Sequence, residues 1–131
     1  MASELKVDKF TGVTTAGSIL VTGEGNSTTT NLQQGLAKVF GVVTSAAAIT
    51  NSFNLSAGTD HGTGDYSYTL TNAFGNVNHA TTAVSSGAGA GRICTSNTAR
   101  TAAGTIAIEI EGHAGSSSDD NQELSTHGDL A

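Results

Sequence analysis

The chain has 131 residues, a mass of 13.0 kDa and a formal net charge of −6, a length that suits one domain and leaves no room for a second. Its five cations, Lys6, Lys9, Lys38, Arg92 and Arg100, are scattered, so the basic cluster that grips phosphates is missing and nucleic acid is excluded as a partner. The longest apolar stretch, Ala46 to Ile49, falls far short of the roughly 20 residues that cross a bilayer, and no apolar segment behind a positive charge opens the chain, so neither membrane insertion nor a secretory signal is read.

In chain order, residues 1–31 hold few large apolar side chains and many Thr, Gly and Ser, as an extended N-terminal arm would. Leu5 to Phe10 and Ser18 to Thr22 are weak strands within it. Asn31 to Lys38 reads as at most one helical turn: Asn31 suits the cap and Leu32 and Leu36 sit four apart, but Gly35 costs about 1 kcal/mol in a helix interior. Strands follow at Lys38 to Val43 and Ala48 to Leu55. Gly58 to Gly64 is a break, and then Tyr66, Tyr68 and Leu70 alternate with Asp65, Ser67, Thr69 and Thr71, one apolar and one polar face at period two. Asn72 to Asn78 breaks again before strands at Ala80 to Ser85 and Gly91 to Thr95, separated by the loop Gly87 to Gly91. Ile106, Ile108 and Ile110 then alternate with Ala107, Glu109 and Glu111, β-branched residues on the apolar side and acids guarding the outer one. Residues 113–131 (HAGSSSDDNQELSTHGDLA) are polar and acidic and read as a C-terminal tail without structure of its own. Turn signals every eight to twelve residues and the wealth of Thr point to an all-β sandwich or barrel. Outside Ala only 30 of the 131 residues are apolar. That is a thin core for a lone monomer, and burial between copies is the direct remedy.

Few residues combine into recognisable chemistry. In Gly87-Ala88-Gly89-Ala90-Gly91 the third glycine of a dinucleotide fingerprint falls on Arg92, so the run reads as a hairpin loop. Asp60-His61-Gly62-Thr63-Gly64-Asp65 gathers two carboxylates and an imidazole, yet it lacks the alternating ligands and closing Glu of a calcium loop and suits a turn. His79, His113 and His127 lie far apart, without the pairing of a zinc helix. Asp119 and Asp120 are placed in solvent with the tail. The single cysteine, Cys94, reads as a small buried apolar residue. Glu109 and Glu111 share one strand face at about 7 Å, inside the separation that glycosidase carboxylates use, although an exposed sheet face explains them as well.

Five runs nevertheless follow one another in a familiar order: LKVDKFTG (Leu5 to Gly12), TTAGSILVTGEG (Thr14 to Gly25), LQQGLAKVF (Leu32 to Phe40), NSFNLSAGTDHGTGDYSYTLT (Asn51 to Thr71) and AFGNVNHA (Ala73 to Ala80). Over about residues 4 to 112 the chain resembles the tail-fibre and related fibre or decoration modules of marine tailed phages. Ser52-Phe53-Asn54 and Thr63-Gly64-Asp65-Tyr66 are the most specific parts. Two positions depart from the family pattern: Phe40 stands where a Trp is usual, and Asp60-His61-Gly62 replaces a D-N-G turn.

The resemblance implies a non-enzymatic virion protein, made in the host cytoplasm with Cys94 reduced, and needing no metal or cofactor. It implies an antiparallel β-sandwich over residues 32–112, carried between the arm and the tail and assembled as a homotrimer. Phe40, Phe53, Ile106, Ile108 and Ile110 are then core or trimer interface. Its partners are further copies of itself, other virion proteins and a host cell-surface glycan or protein, touched through Asp60, His61, Asp65 and Gly89 in the loops. Three readings of the role stay open: a surface-exposed fibre or fibre-tip module, a head decoration or tail-adaptor protein (favoured by a length with no separate anchoring domain), and a small polysaccharide-cleaving tip using Glu109 and Glu111.

Overall fold

The computed structural model of the chain describes residues 4–13, 19–22, 29–87, 92–97, 99, 101–112 and 114–128. The chain divides into two compact units, residues 1–35 and 36–131. In the first, β1 (Leu20–Thr22) and β2 (Thr29–Asn31) pair antiparallel, with Leu20 opposite Asn31. The helical turn expected from Asn31 to Lys38 is only four residues, α1 (Leu32–Gly35), entered by Leu32 N–H donating to the Ile19 carbonyl at 2.9 Å. Leu5 to Phe10, expected as a strand, forms none and is exposed throughout, because a strand needs a neighbour to take its backbone groups.

The second unit holds two four-stranded antiparallel sheets. One has the order β4 (Ile49–Phe53), β3 (Ala37–Val43), β10 (Gln122–His127), β7 (Ala80–Ser85). The other has the order β5 (Leu55–Gly62), β6 (Asp65–Leu70), β9 (Thr105–Glu111), β8 (Ile93–Ser96). Their facing sides share one sandwich-like core. Val39, Val43 and Leu124 come from the first sheet, and Leu55, Tyr66, Tyr68, Leu70, Ile106, Ile108 and Ile110 from the second. Cys94, half-buried, packs against it.

The chain changes sheets at Asn54, whose φ of 65° turns β4 into β5. Asn accepts this left-handed conformation more readily than most residues. Its side chain is pinned from both sides: Nδ2 donates to the Asn72 carbonyl at 3.0 Å and Oδ1 accepts the Asn72 N–H at 2.7 Å. The break expected from Gly58 to Gly64 narrows to a two-residue hairpin turn, Thr63-Gly64, because β5 runs on through Gly62 to pair with Asp65. Gly64 has φ 74°, and a Cβ there would lie 2.5 Å from the Ile110 carbonyl oxygen, so both angle and space demand glycine.

The polar tail expected over residues 113–131 is corrected by the structure. Gln122–His127 is a strand in the middle of its sheet, flanked by β3 and β7. Its inward side chains are Gln122, Leu124 and Thr126, all buried. Two of those three are polar, which is why hydropathy does not mark the segment as core.

Candidate interaction surface

β3 alternates Val39, Gly41 and Val43 inward with Phe40 and Val42 outward. Antiparallel register sets Phe53 opposite Phe40 on one side and Ser125 on the other, with Thr82 beyond it. One step along, Glu123 stands between Val42 and Val84. The two phenyl rings stack with centroids 6.4 Å apart and planes 22° from parallel. Phe40 and Phe53 remain 42% and 52% exposed, and Val42 and Val84 39% and 52%. Phe40, Val42 and Val84, with Glu123, Ser125 and Thr82, line a hollow of about 340 Å³ in the outer face of the sheet, and Phe53 stands beside Phe40 outside that lining. The outer face thus sets four exposed apolar side chains among Asn51, Thr82 and Ser125, with the Glu123 carboxylate between Val42 and Val84. Phe40 and Phe53 lie outside the buried core, whereas Ile106, Ile108 and Ile110 lie within it.

The outer face of the second sheet is mostly polar, with Ile93 exposed at its β8 edge opposite Glu111. Asp65 and Glu109 lie directly opposite each other on β6 and β9. The Asn97 amide reaches both, 3.1 Å from Glu109 Oε1 and 3.4 Å from Asp65 Oδ1. Glu111 continues the face as an exposed residue. Asp60 and His61, expected in a loop, belong to strand β5. Asp60 Oδ1 accepts the Gly62 N–H at 2.9 Å, shaping its own strand end, and His61 Nε2 is 2.8 Å from Ser67 Oγ across the hairpin. Asp65 and Glu109 are thereby brought together, and Asp60 and His61 are engaged locally. Gly89 and His113 lie outside the described residues.

No family model, curated protein or solved structure matches the chain. Function therefore has to be argued from its own residues.

Asp119, exposed as sequence reasoning placed it, and Asp120, which is buried instead, tie the two sheets together. Asp119 Oδ1 accepts the Tyr66 hydroxyl at 2.9 Å and the Gly64 N–H at 2.8 Å. Asp120 is buried, with Arg92 Nη1 3.2 Å from its Oδ2 and the Ser85 hydroxyl on the same oxygen. Deeper in, the Tyr68 hydroxyl donates to Gln122 Oε1. Burial, then the bond to Asp119, pushes the Tyr66 phenol well above its ordinary range, and burial does the same for Tyr68. Burial also raises the Cys94 thiol, with Asp120 adding to it. The sequence signal for this network is the period-two run Gln122, Leu124, Thr126 directly after the two acids, visible only if polar residues are allowed on an inward face.

Proposed function

We propose that this chain is a non-enzymatic structural protein of a bacteriophage virion, a surface-exposed fibre-type module that works as a homotrimer with residues 1–31 as an extended arm. The observation that carries the assembly part is the outward apolar face of the β4–β3–β10–β7 sheet. Contiguous exposed apolar patches rimmed by polar residues on soluble proteins mark surfaces that meet a partner. Support for the virion part is the ordered run of fibre-like segments from Leu5 to Ala80, whose two most specific pieces have structural work to do. Asn54 makes the sheet crossing and Gly64 the hairpin. Several copies on one particle gain avidity for a host glycan or protein from weak single contacts, which suits the polar outer face of Asp65, Glu109 and Asn97.

Two measurements test this. Light scattering at micromolar concentration and neutral pH should return the mass of three chains, and a monomeric mass ends the trimer. Gold-labelled antibody on intact particles should decorate tail or fibre ends. Label spread over the head makes the protein a head decoration protein, and no label on intact or disrupted particles removes it from the virion. Glu109→Gln with Glu111→Gln should leave any glycan-cleavage assay unchanged, since Glu109 is engaged by Asn97 on an open sheet face; loss of a cleavage activity would install the polysaccharide-cleaving reading.

A further inference from the structure

We infer that the outer face of the β4–β3–β10–β7 sheet is covered by residues 5–9 of a neighbouring copy of this chain, with Leu5 and Val7 over the hollow and Lys9 against Glu123. The inference rests on the oligomeric reading above and names the contact that would build it.

Three observations carry it. First, seven of the thirteen exposed large apolar side chains among the described residues belong to the N-terminal stretch (Leu5, Val7 and Phe10, 73%, 49% and 63% exposed) and to this sheet face (Phe40, Val42, Phe53 and Val84). Second, Leu5 to Phe10 has a strand's alternation but forms no strand among the described residues. Extended, it puts Leu5, Val7 and Lys9 on one side and Lys6, Asp8 and Phe10 on the other. Five extended residues reach about 13 Å, close to three inter-strand spacings, so the segment can cross the four strands. Third, Glu123 stands between Val42 and Val84. Covering a carboxylate with apolar groups is unfavourable unless a cation meets it. Lys38 is buried and Arg92 is held by Asp120, whereas Lys6 and Lys9 are exposed. Lys9 is the one on the side of Leu5 and Val7.

The test is a charge swap in the full-length chain. Wild type, Glu123→Lys, Lys9→Glu and the double variant are compared by light scattering over a dilution series at neutral pH and low salt, with circular dichroism melts to confirm folding. Wild type should assemble, each single variant should need about tenfold or more protein for half-assembly, and the double variant should return to within a few-fold of wild type. If Glu123→Lys melts early, Glu123→Gln serves instead: its assembly should lose the salt dependence that wild type shows. Wild-type assembly that neither single variant weakens, or a double variant no better than the worse single, overturns this contact while leaving the oligomer standing. A wild-type chain that stays monomeric overturns both.

Discussion

At Asp120 the carboxylate is almost wholly enclosed, with Arg92 and the Ser85 hydroxyl on one oxygen and the Asn121 N–H on the other at 2.9 Å. Asp120→Ala strips the partly buried Arg92 guanidinium of its counter-charge, and removing one partner of a buried pair costs far more than the pair is worth. A loss of about 3 kcal/mol is expected, read from the urea midpoint. Gly87 is part of the same enclosure, since a Cβ there would fall 1.4 Å from Asp120 Oδ1. Gly87→Ala must therefore push the carboxylate away from Arg92, with an expected loss of about 1–3 kcal/mol in the same assay. Tyr66 and Tyr68 add a pH dependence. Their folded-state pKa values lie above those of the unfolded chain, so near the ordinary tyrosine value of about 10 the unfolded state loses protons that the folded state keeps. Stability is then full below pH 10 and falls as pH rises beyond it. Thermal melts taken upward from pH 8 should show Tm declining once that value is passed, and Tyr68→Phe should shallow the decline. A Tm that stays flat while free phenol ionises would remove both tyrosines from the account.

At the scale of elements, β6 and β9 were legible in advance because their inward positions are large and apolar and most of their outward ones polar, whereas β7 turns only Thr81, Ala83 and Ser85 inward and Val84 outward. Tyr66, Tyr68 and Leu70 face in, and so do Ile106, Ile108 and Ile110. β10 was not legible. Its inward face is Gln122, Leu124 and Thr126, and only its neighbours reveal that Gln122 is met by Tyr68 and that Thr126 shares a 2.9 Å hydroxyl contact with Thr81. A strand between two others supplies both of them with ladder bonds, so its loss is not local. Leu124→Ala is expected to cost about 2–5 kcal/mol, and a chain ending at Gly112 should show no cooperative unfolding transition in urea. A truncated chain that still melts cooperatively would return residues 113–131 to the status of a tail. β5 was half legible: Leu55 was read as strand, but Gly58 to Gly62 look like loop until β6 is set beside them.

Across the whole molecule, the proposed assembly rests on the outer face that carries Phe40, Phe53, Val42 and Val84. Phe40 and Phe53 stack on the surface instead of filling the core, so Phe53→Ser should cost the isolated chain only about 1–2 kcal/mol of unfolding free energy and yet weaken assembly. Ile108→Ala, from the core, should do the reverse, costing about 2–5 kcal/mol of stability with assembly lost only through unfolding. The pair of variants, compared by urea melts and light scattering, separates surface from core. Equal loss of stability in both would mean that Phe53 is packed as tightly as Ile108.

The class of the fold followed from the chain alone, because period-two alternation and Gly/Asn/Asp turns are local properties that each strand carries in itself. The same holds for the core isoleucines of β9. Which strands are neighbours, that a polar run closes a sheet, and that Phe40 and Phe53 face outward were decided by the tertiary structure. Those outcomes depend on what lies across the ladder: Asp119 and Asp120 find Tyr66 and Arg92 only after the sheets have come together, and the side to which an aromatic turns is fixed by register with a strand far away in sequence.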